Sequence, residues 1–329
     1  MIIDYIYKKF EDMNVLSKIG LGAIAITICG LFIFAAQDPT KQISETKTNT
    51  TTQTSNFNDG MMKVRSIALP KSMSFAGERV PLEDTDVRER LDREIHVNTY
   101  WQSNMLLMIK KANRFFPEIE PLLAEFGLPD DFKYLAVAES GLDNVRSPAG
   151  AAGFWQFMKG TGKEYGLEIN DYVDERYNLE LATKVAAEYL IKSKARFGSW
   201  TTAAGAYNAG NAGINKQLER QDAKGYYALL LNSETSRYMF RILAFKEILS
   251  NPEKYGFYID AQDKYQPIPT RTVVITTPVD DFAKFAKDNG INYKILKIHN
   301  PWLRDTYLKN ASGKEYRIKI PEAGYYVTE

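Results

Sequence analysis

Apolar positions along this chain fall into three regimes: one unbroken run, a long stretch with helical spacing, and a short tail that alternates. The run is Ile19–Ala36, IGLGAIAITICGLFIFAA, eighteen residues without a charge. As a helix it rises ~27 Å against a hydrocarbon core of ~30 Å, which predicts a membrane anchor or a signal segment over residues 19–36. Lys8, Lys9 and Lys18 precede it, as in a secretory signal, but Ile33 or Phe34 stands where a cleavage site wants a small residue. Helical spacing begins at Asp86. Val87, Leu91, Ile95, Tyr100 and Trp101 open an amphipathic pattern that runs on through Met105, Leu106, Ile109 and Phe115 and ends near Pro117. Pro121 to Phe126 reads as a short helix closed by Gly127, and Pro129 with Asp130 opens the next. Asp174 to Phe197 predicts a helix with Leu179, Ala182, Ala186, Tyr189, Leu190, Ser193 and Phe197 on its buried face and Gly198 at its end. Thr201 to Tyr207 and Ala212 to Arg220 read as two short helices around Asn208-Ala209-Gly210. Ser233 caps a last long helix to about Leu249, before Asn251-Pro252. No strand pair stands out between Asp86 and Tyr255, so residues 85–256 predict an all-α domain.

The pattern changes on either side of that domain. Residues 37–60 are rich in Thr, Ser, Asn and Gln with almost no large apolar side chain, too little to offset the entropy of ordering. Residues 61–83, with Pro70 and Pro81, are intermediate, and 37–84 as a whole reads as a disordered or extended linker. At the other end Thr270 to Thr277 is β-branched and alternates, Val279 to Asn289 and Asn292 to His299 fit two short helices, and Glu315 to Ile320 is a second strand. This β-α-α-β order predicts a small α+β module over 265–325. The fold class is mainly α.

Charge and composition remove some functions. With 42 Lys and Arg against 41 Asp and Glu, and no basic stripe interleaved with aromatics, nucleic acid is not an expected partner. His96 and His299 are far apart and Cys29 is the only cysteine, so neither a His/Cys metal site nor an internal disulfide is expected, and no cofactor is called for. A lipoprotein box ending at Cys29 is a poor fit, because Ile28 occupies the small-residue position and the apolar run continues past it.

The candidate chemistry lies in FKYLAVAESGLDNVRSPAGAAGFWQF, residues 132–157. Phe132, Leu135, Ala136 and Glu139 follow i, i+3, i+4, i+7 and share a helix face. Gly141, two residues on, suits a left-handed cap, so Glu139 falls in the last turn. The apolar stripe and the negative helix end both disfavour its ionised form, raising it from the ~4.3 of a free Glu toward the ~6–7 useful in a general acid. The alternative is that the helix ends in solvent and Glu139 is merely exposed. The small residues from Ser147 to Gly153 would let a ligand approach the backbone. Trp155 would either stack on a sugar or fill the core, and the Gln156 amide would bond hydroxyl or acetamido groups. Tyr207 and Asn208 repeat the pairing of aromatic and amide, and Glu234 and Tyr238, four apart, share a face of the last helix.

Four segments in series, Glu139-Ser140-Gly141-Leu142, the run Ser147 to Phe157, Ala206-Tyr207-Asn208-Ala209-Gly210, and Glu234-Thr235-Ser236-Arg237-Tyr238, resemble the soluble-lytic-transglycosylase domain, in the form found in membrane-bound lytic murein transglycosylase D-like proteins. The resemblance covers about Asp86 to Tyr255. It implies a lysozyme-like α-helical catalytic domain that cleaves the β-1,4 bond between N-acetylmuramic acid and N-acetylglucosamine of peptidoglycan and leaves a 1,6-anhydromuramic end. It implies that Glu139 is the single catalytic residue, acid and then base, with the substrate's N-acetyl group replacing the second carboxylate of most glycosidases. Asp131 and Asp143 are therefore set aside. It implies substrate binding by Ser147, Gly153, Gln156, Tyr207, Asn208, Glu234 and Tyr238, with Tyr238 close to Glu139. Lys159 and Met239 depart from the usual proline and valine without touching the chemistry. The implied partner is the glycan strand. The implied location is the bacterial envelope: residues 1–18 cytoplasmic, 19–36 in the membrane, and the catalytic domain on the periplasmic side. The tail, with Asp280-Asp281-Phe282 and Asn300-Pro301-Trp302, looks like a degenerate LysM module, which implies a glycan-binding role; a packing role without ligand is the alternative. Two other functions remain open at this point, a goose-type-lysozyme-like hydrolase and a non-catalytic wall-binding protein.

Overall fold

The structure, a computed structural model, describes residues 64–327. The expectations for residues 1–18 and 19–36, and for the linker up to residue 63, lie outside the described residues. Among those described, no helix is long and apolar enough to cross a membrane.

The amphipathic pattern that begins at Asp86 forms two helices rather than one. Helix α1, Thr85–Tyr100, is capped by the Asp84 carboxylate, which accepts from Val87 N at 3.2 Å. The chain leaves helical dihedrals at Trp101 (φ −88°, ψ 61°) and restarts as α2, Gln102–Glu125. α2 runs through Pro117 and Pro121, where a break was expected. Each proline withholds one N–H from the ladder, but Ile119 and Leu123 are wholly buried on the same helix, and packing outweighs the local preference.

After a 3-10 turn, Asp130–Phe132, comes α3, Lys133–Ser140, ended by Gly141 at φ +62°. A short α4, Lys159–Glu164, follows the Gly/Ala-rich loop. The helix expected from Asp174 starts later: Asn178 caps α5, Leu179–Phe197, because Asp174 turns back to bind Arg176 and residues 175–177 form a 3-10 turn. Gly198 ends α5 as expected. α6, Trp200–Ala209, and α7, Asn211–Gln221, lead to α8, Ser233–Ser250, whose cap is Asn232 rather than Ser233.

α8 packs against α1, α3 and α6, and its Met239, Phe240, Ile242, Leu243 and Ala244 are fully buried. Each fully buried large apolar side chain contributes roughly 1.5–3 kcal/mol. A helix so covered holds its polar groups in fixed places.

Residues 64–84 are not a linker. Ser74–Phe75 (β1) and Glu78–Arg79 (β2) form a short antiparallel hairpin, and Met73, Phe75, Val80 and Leu82 are buried in the main core. Phe75 meets Phe132 edge to face at 5.1 Å. The Glu78 carboxylate caps α6, accepting from Trp200 N (2.6 Å), Thr201 N (2.9 Å), Ser199 Oγ (2.8 Å), Thr201 Oγ1 (2.8 Å) and Lys194 Nζ (3.0 Å). The helical domain thus begins before residue 85.

The C-terminal segment has the expected order. β3, Thr270–Ile275, pairs antiparallel with β4, Tyr316–Pro321, in the register Thr270↔Pro321 to Ile275↔Tyr316, and α9, Phe282–Asp288, and α10, Tyr293–His299, lie between them. It is not a separate body. Its core of Phe282, Leu296, Trp302, Leu303, Leu308, Ile318 and Ile320 takes in Ala152, Val173 and Tyr177 of the helical domain. Backbone bonds join the two, Asp174 N to Trp302 O at 2.9 Å and Arg304 N to Tyr172 O at 2.7 Å.

Candidate active site

On α3 the stripe predicted from spacing is the buried face. Phe132, Leu135 and Ala136 are wholly buried, and Glu139 follows them half-buried in the last turn, two residues before the Gly141 cap. Lys111 of α2 donates to Gly141 O at 3.3 Å and pairs with Asp143, a cation at the negative end of the helix. From α8 the buried Tyr238 hydroxyl donates a hydrogen bond to Glu139 Oε1.

Burial pushes the Glu139 carboxyl up to about 7; the Tyr238 hydrogen bond and the Arg241 charge oppose this, and the Glu234 charge adds to it. Near neutral pH Glu139 therefore exists in both protonation states, as a group that gives and then takes a proton must. Burial, and next the charge of Glu139, keep the Tyr238 hydroxyl far above its usual range, so it stays a donor.

The remaining predicted residues divide. Tyr207 is half-buried, its ring against Phe157 and Tyr189, and its hydroxyl donates to Trp155 O at 2.7 Å. Burial, and next the Glu139 charge, hold this hydroxyl well above its usual range, so it stays protonated and is spent on Trp155 O rather than left as a free donor. Gln156 stands at φ +49° and its amide donates to Gly153 O (2.7 Å) and Val145 O (3.1 Å), and among the described residues no donor reaches its Oε1. Asn208 lies half-buried at the end of α6, and no hydrogen bond to a described residue engages its side chain. Glu234 is exposed and pairs with Arg241 at 3.3 Å. Ser147 closes the loop on itself: its Oγ accepts from Ala151 N at 3.0 Å. Gly153 has a packing reason, since a Cβ there would sit 1.9 Å from the Arg176 carbonyl oxygen.

For Trp155 the structure decides between the two readings. It is wholly buried and donates to Thr183 Oγ1 at 2.8 Å, so it is core and no sugar platform. Asp131 pairs with Lys246 and Asp143 with Lys111, and neither bonds Glu139. Among the described residues no group of three or more His, Cys, Asp or Glu could hold a metal ion. A cavity of about 1060 Å³ lies elsewhere, between α2, the start of α5 and the C-terminal module, with Phe154, Tyr177, His299 and Trp302 in its walls. Sequence reasoning missed Arg241, although it stands three residues after Tyr238 and seven after Glu234, on the same face. It also missed Lys111 and Arg176, which no local pattern marks.

The Transglycosylase SLT domain family matches residues 124–230, from the end of α2 through Glu139 and the loop to α6 and α7. That stretch of the chain is similar to the SLT domain. The match includes Glu139, Ser147, Gly153, Gln156, Tyr207 and Asn208, while Glu234 and Tyr238 lie just past it and are brought in by the fold of α8. Residues 271–324 match the Soluble lytic transglycosylase C-terminal LysM-like domain, which is the β-α-α-β module. Two curated relatives are similar to this chain, Membrane-bound lytic murein transglycosylase D from two strains of Escherichia coli. Each is 27% identical over 258 residues, covering 76% of this chain and 55% of the relative. The chain thus spans about half the length of those relatives. Among solved structures, an inactive mutant of the lytic transglycosylase Slt from Pseudomonas aeruginosa is similar at 20% identity and a TM-score of 0.35, over 45% of this chain and 26% of that one.

Proposed function

We propose that this protein is a peptidoglycan lytic transglycosylase and that Glu139 is its one catalytic carboxyl. The observation that carries the reading is the Glu139–Tyr238 pair, an acid raised to about 7 by burial and steadied by a phenol that does not ionise. In the first step protonated Glu139 gives its proton to the glycosidic oxygen between N-acetylmuramic acid and N-acetylglucosamine, and the C1–O bond breaks. The muramic N-acetyl group supports the developing charge at C1. In the second step the muramic C6 hydroxyl attacks C1, the C1–O6 bond forms, and the Glu139 carboxylate takes the hydroxyl proton. Glu139 is thereby restored and no water is consumed.

Glu234 is the acid whose charge reaches Glu139, but it is exposed and held by Arg241, which suits a rim residue better than a nucleophile. In the same reading the Gln156 Oε1 and the Asn208 amide face the glycan, with Ser147 and Gly153 shaping the loop beneath it. We also read 19–36 as a membrane anchor that presents the domain to the wall at the periplasmic face, in keeping with the membrane-bound relatives.

Purified sacculi test this. The wild-type protein is expected to release muropeptides with anhydro ends, and Glu139→Gln to release none while keeping its fold. Products heavier by one water would instead make it a lysozyme-like hydrolase. Binding to sacculi without any soluble product would make it a wall-binding protein.

A further inference from the structure

The loop 146–157, which begins seven residues after Glu139 in the chain, is gripped from two sides. On one side Phe154, Trp155 and Phe157 enter the main core. On the other, Ala152 enters the core of the C-terminal module. Between the two lies a buried ion pair. Asp174 accepts from Arg176 Nε (2.9 Å) and Nη2 (2.7 Å), and both residues are less than a tenth exposed. The remaining arm of the guanidinium, Nη1, donates to Gly150 O (2.8 Å) and Phe157 O (3.0 Å), one near the turn of the loop and one at its end. Phe157 O also accepts from Ala152 N at 3.1 Å, so Arg176 bonds at the point where the loop closes on itself. A planar guanidinium that serves two carbonyls and a carboxylate at once fixes their relative positions.

The pair is itself held by the module. Asp174 N donates to Trp302 O at 2.9 Å, and Lys314 bridges Glu168 (2.7 Å) and Glu175 (2.8 Å), the latter next to Arg176 in the chain. From the loop the contacts continue into the helical domain: the Phe157 ring lies against Tyr207, whose hydroxyl, within reach of the Glu139 charge, donates to Trp155 O.

We propose that the C-terminal module is a working part of the catalytic unit, its docking holding the loop 146–157 in place through Asp174 and Arg176, so that Arg176 is a positioning residue for the reaction at Glu139. The catalytic part of this statement rests on the transglycosylase reading; the coupling of module to loop does not.

The full chain serves for the test, with hydrogen exchange read beside kinetics. In Arg176→Gln the Ala152 and Gly153 amides are expected to exchange about tenfold faster while those of α8 stay within about twofold. Release of anhydro products is expected to fall about tenfold in kcat with little change in KM, since the substrate is still bound but less well aligned. Arg176→Lys, which keeps the charge on Asp174 but not the fork to both carbonyls, is expected to fall between. Should Arg176→Gln fail to fold, Lys314→Ala removes the bridge to Glu168 and Glu175 at a side chain that is 41% exposed, and is expected to loosen the same loop amides. Unchanged loop exchange, or exchange that rises equally in α8, overturns the coupling. A loosened loop with unchanged kcat overturns the positioning role. A wild-type protein that forms no anhydro product overturns the function instead, and loop exchange still decides the coupling.

Discussion

The Tyr238 hydroxyl donates to the Glu139 carboxylate across 99 residues of chain, joining the end of α3 to the second turn of α8. The bond favours the ionised acid and so holds Glu139 below the value that burial alone would set. Its removal fixes the sign of a test. In Tyr238→Phe the Glu139 pKa rises further above about 7, so the alkaline limb of kcat/KM, where the free acid loses its proton, moves to higher pH. The same variant loses a hydrogen bond to a charged group in the second step, and kcat is expected to fall about tenfold. A pH–rate profile of anhydro-product release measures both. A limb that moved down or stayed in place would show that the phenol does not tune the acid.

Stability should carry the same signature. Glu139 titrates near 4.5 in an unfolded chain and about 7 in the fold. Below pH 4.5 it is neutral in both states and costs nothing. Between 4.5 and 7 the unfolded chain gives up the proton first, so stability falls as pH rises, and above 7 the loss is complete. Glu139→Gln keeps an oxygen for Tyr238 and has no proton to lose. It is expected to match the wild type at pH 4 and to exceed it at pH 8 by up to about 3 kcal/mol. Urea denaturation at the two pH values checks this.

How far the sequence reaches depends on whether a feature is periodic. The α3 stripe and its Gly141 cap are local and repeat at helical spacing, so Glu139 could be placed on an apolar stripe at a helix end, while spacing alone left its burial open. The alternation of Tyr316, Ile318 and Ile320 likewise marks β4. Spacing does not name the partner across the core. Tyr238 and Glu139 met only through the resemblance of the four segments to a known domain, and nothing local pointed to Lys111 or Arg176. β1 and β2 have two residues each, too few to alternate, so the hairpin that buries Phe75 read as linker. Trp155 stands among glycines and alanines that suit a binding loop equally well. Its burial is set by Thr183, on a helix 28 residues away.

Glu78 tests whether that hairpin belongs to the domain. Burial alone would raise its carboxyl, but the N–H groups of Thr201 and Trp200, with Ser199 and Lys194, draw it down to about 2. A carboxylate at a helix N-terminus with five donors is a strong cap. Glu78→Ala is expected to cost about 2 kcal/mol at pH 7. The contribution is present in full above the unfolded value of 4.5 and is lost as pH falls toward 2, so the gap between variant and wild type should close as the pH is lowered. Chemical denaturation at pH 7 and pH 3 reads the difference; an equal gap at both would assign the effect to packing rather than to the charge.

Gly153 offers the sharpest steric test. Its φ of +82° is one that an L side chain adopts only under strain, and a Cβ would lie 1.9 Å from Arg176 O and 2.8 Å from Arg176 C. Both atoms are backbone, in a segment pinned by the Asp174 ion pair and by the module, so neither can swing aside as a flexible side chain would. The loop or the 174–177 turn must move, and either movement breaks bonds at Gly150 or Phe157. Gly153→Ala is therefore expected to lower stability by about 3 kcal/mol or more in urea. The comparison is Gly160→Ala, nearby in the chain, where an added Cβ meets nothing within 4 Å and the backbone is already helical. That substitution should be neutral or slightly stabilising. Equal losses in the two variants would show that the close approach at Arg176 is not what requires glycine at 153.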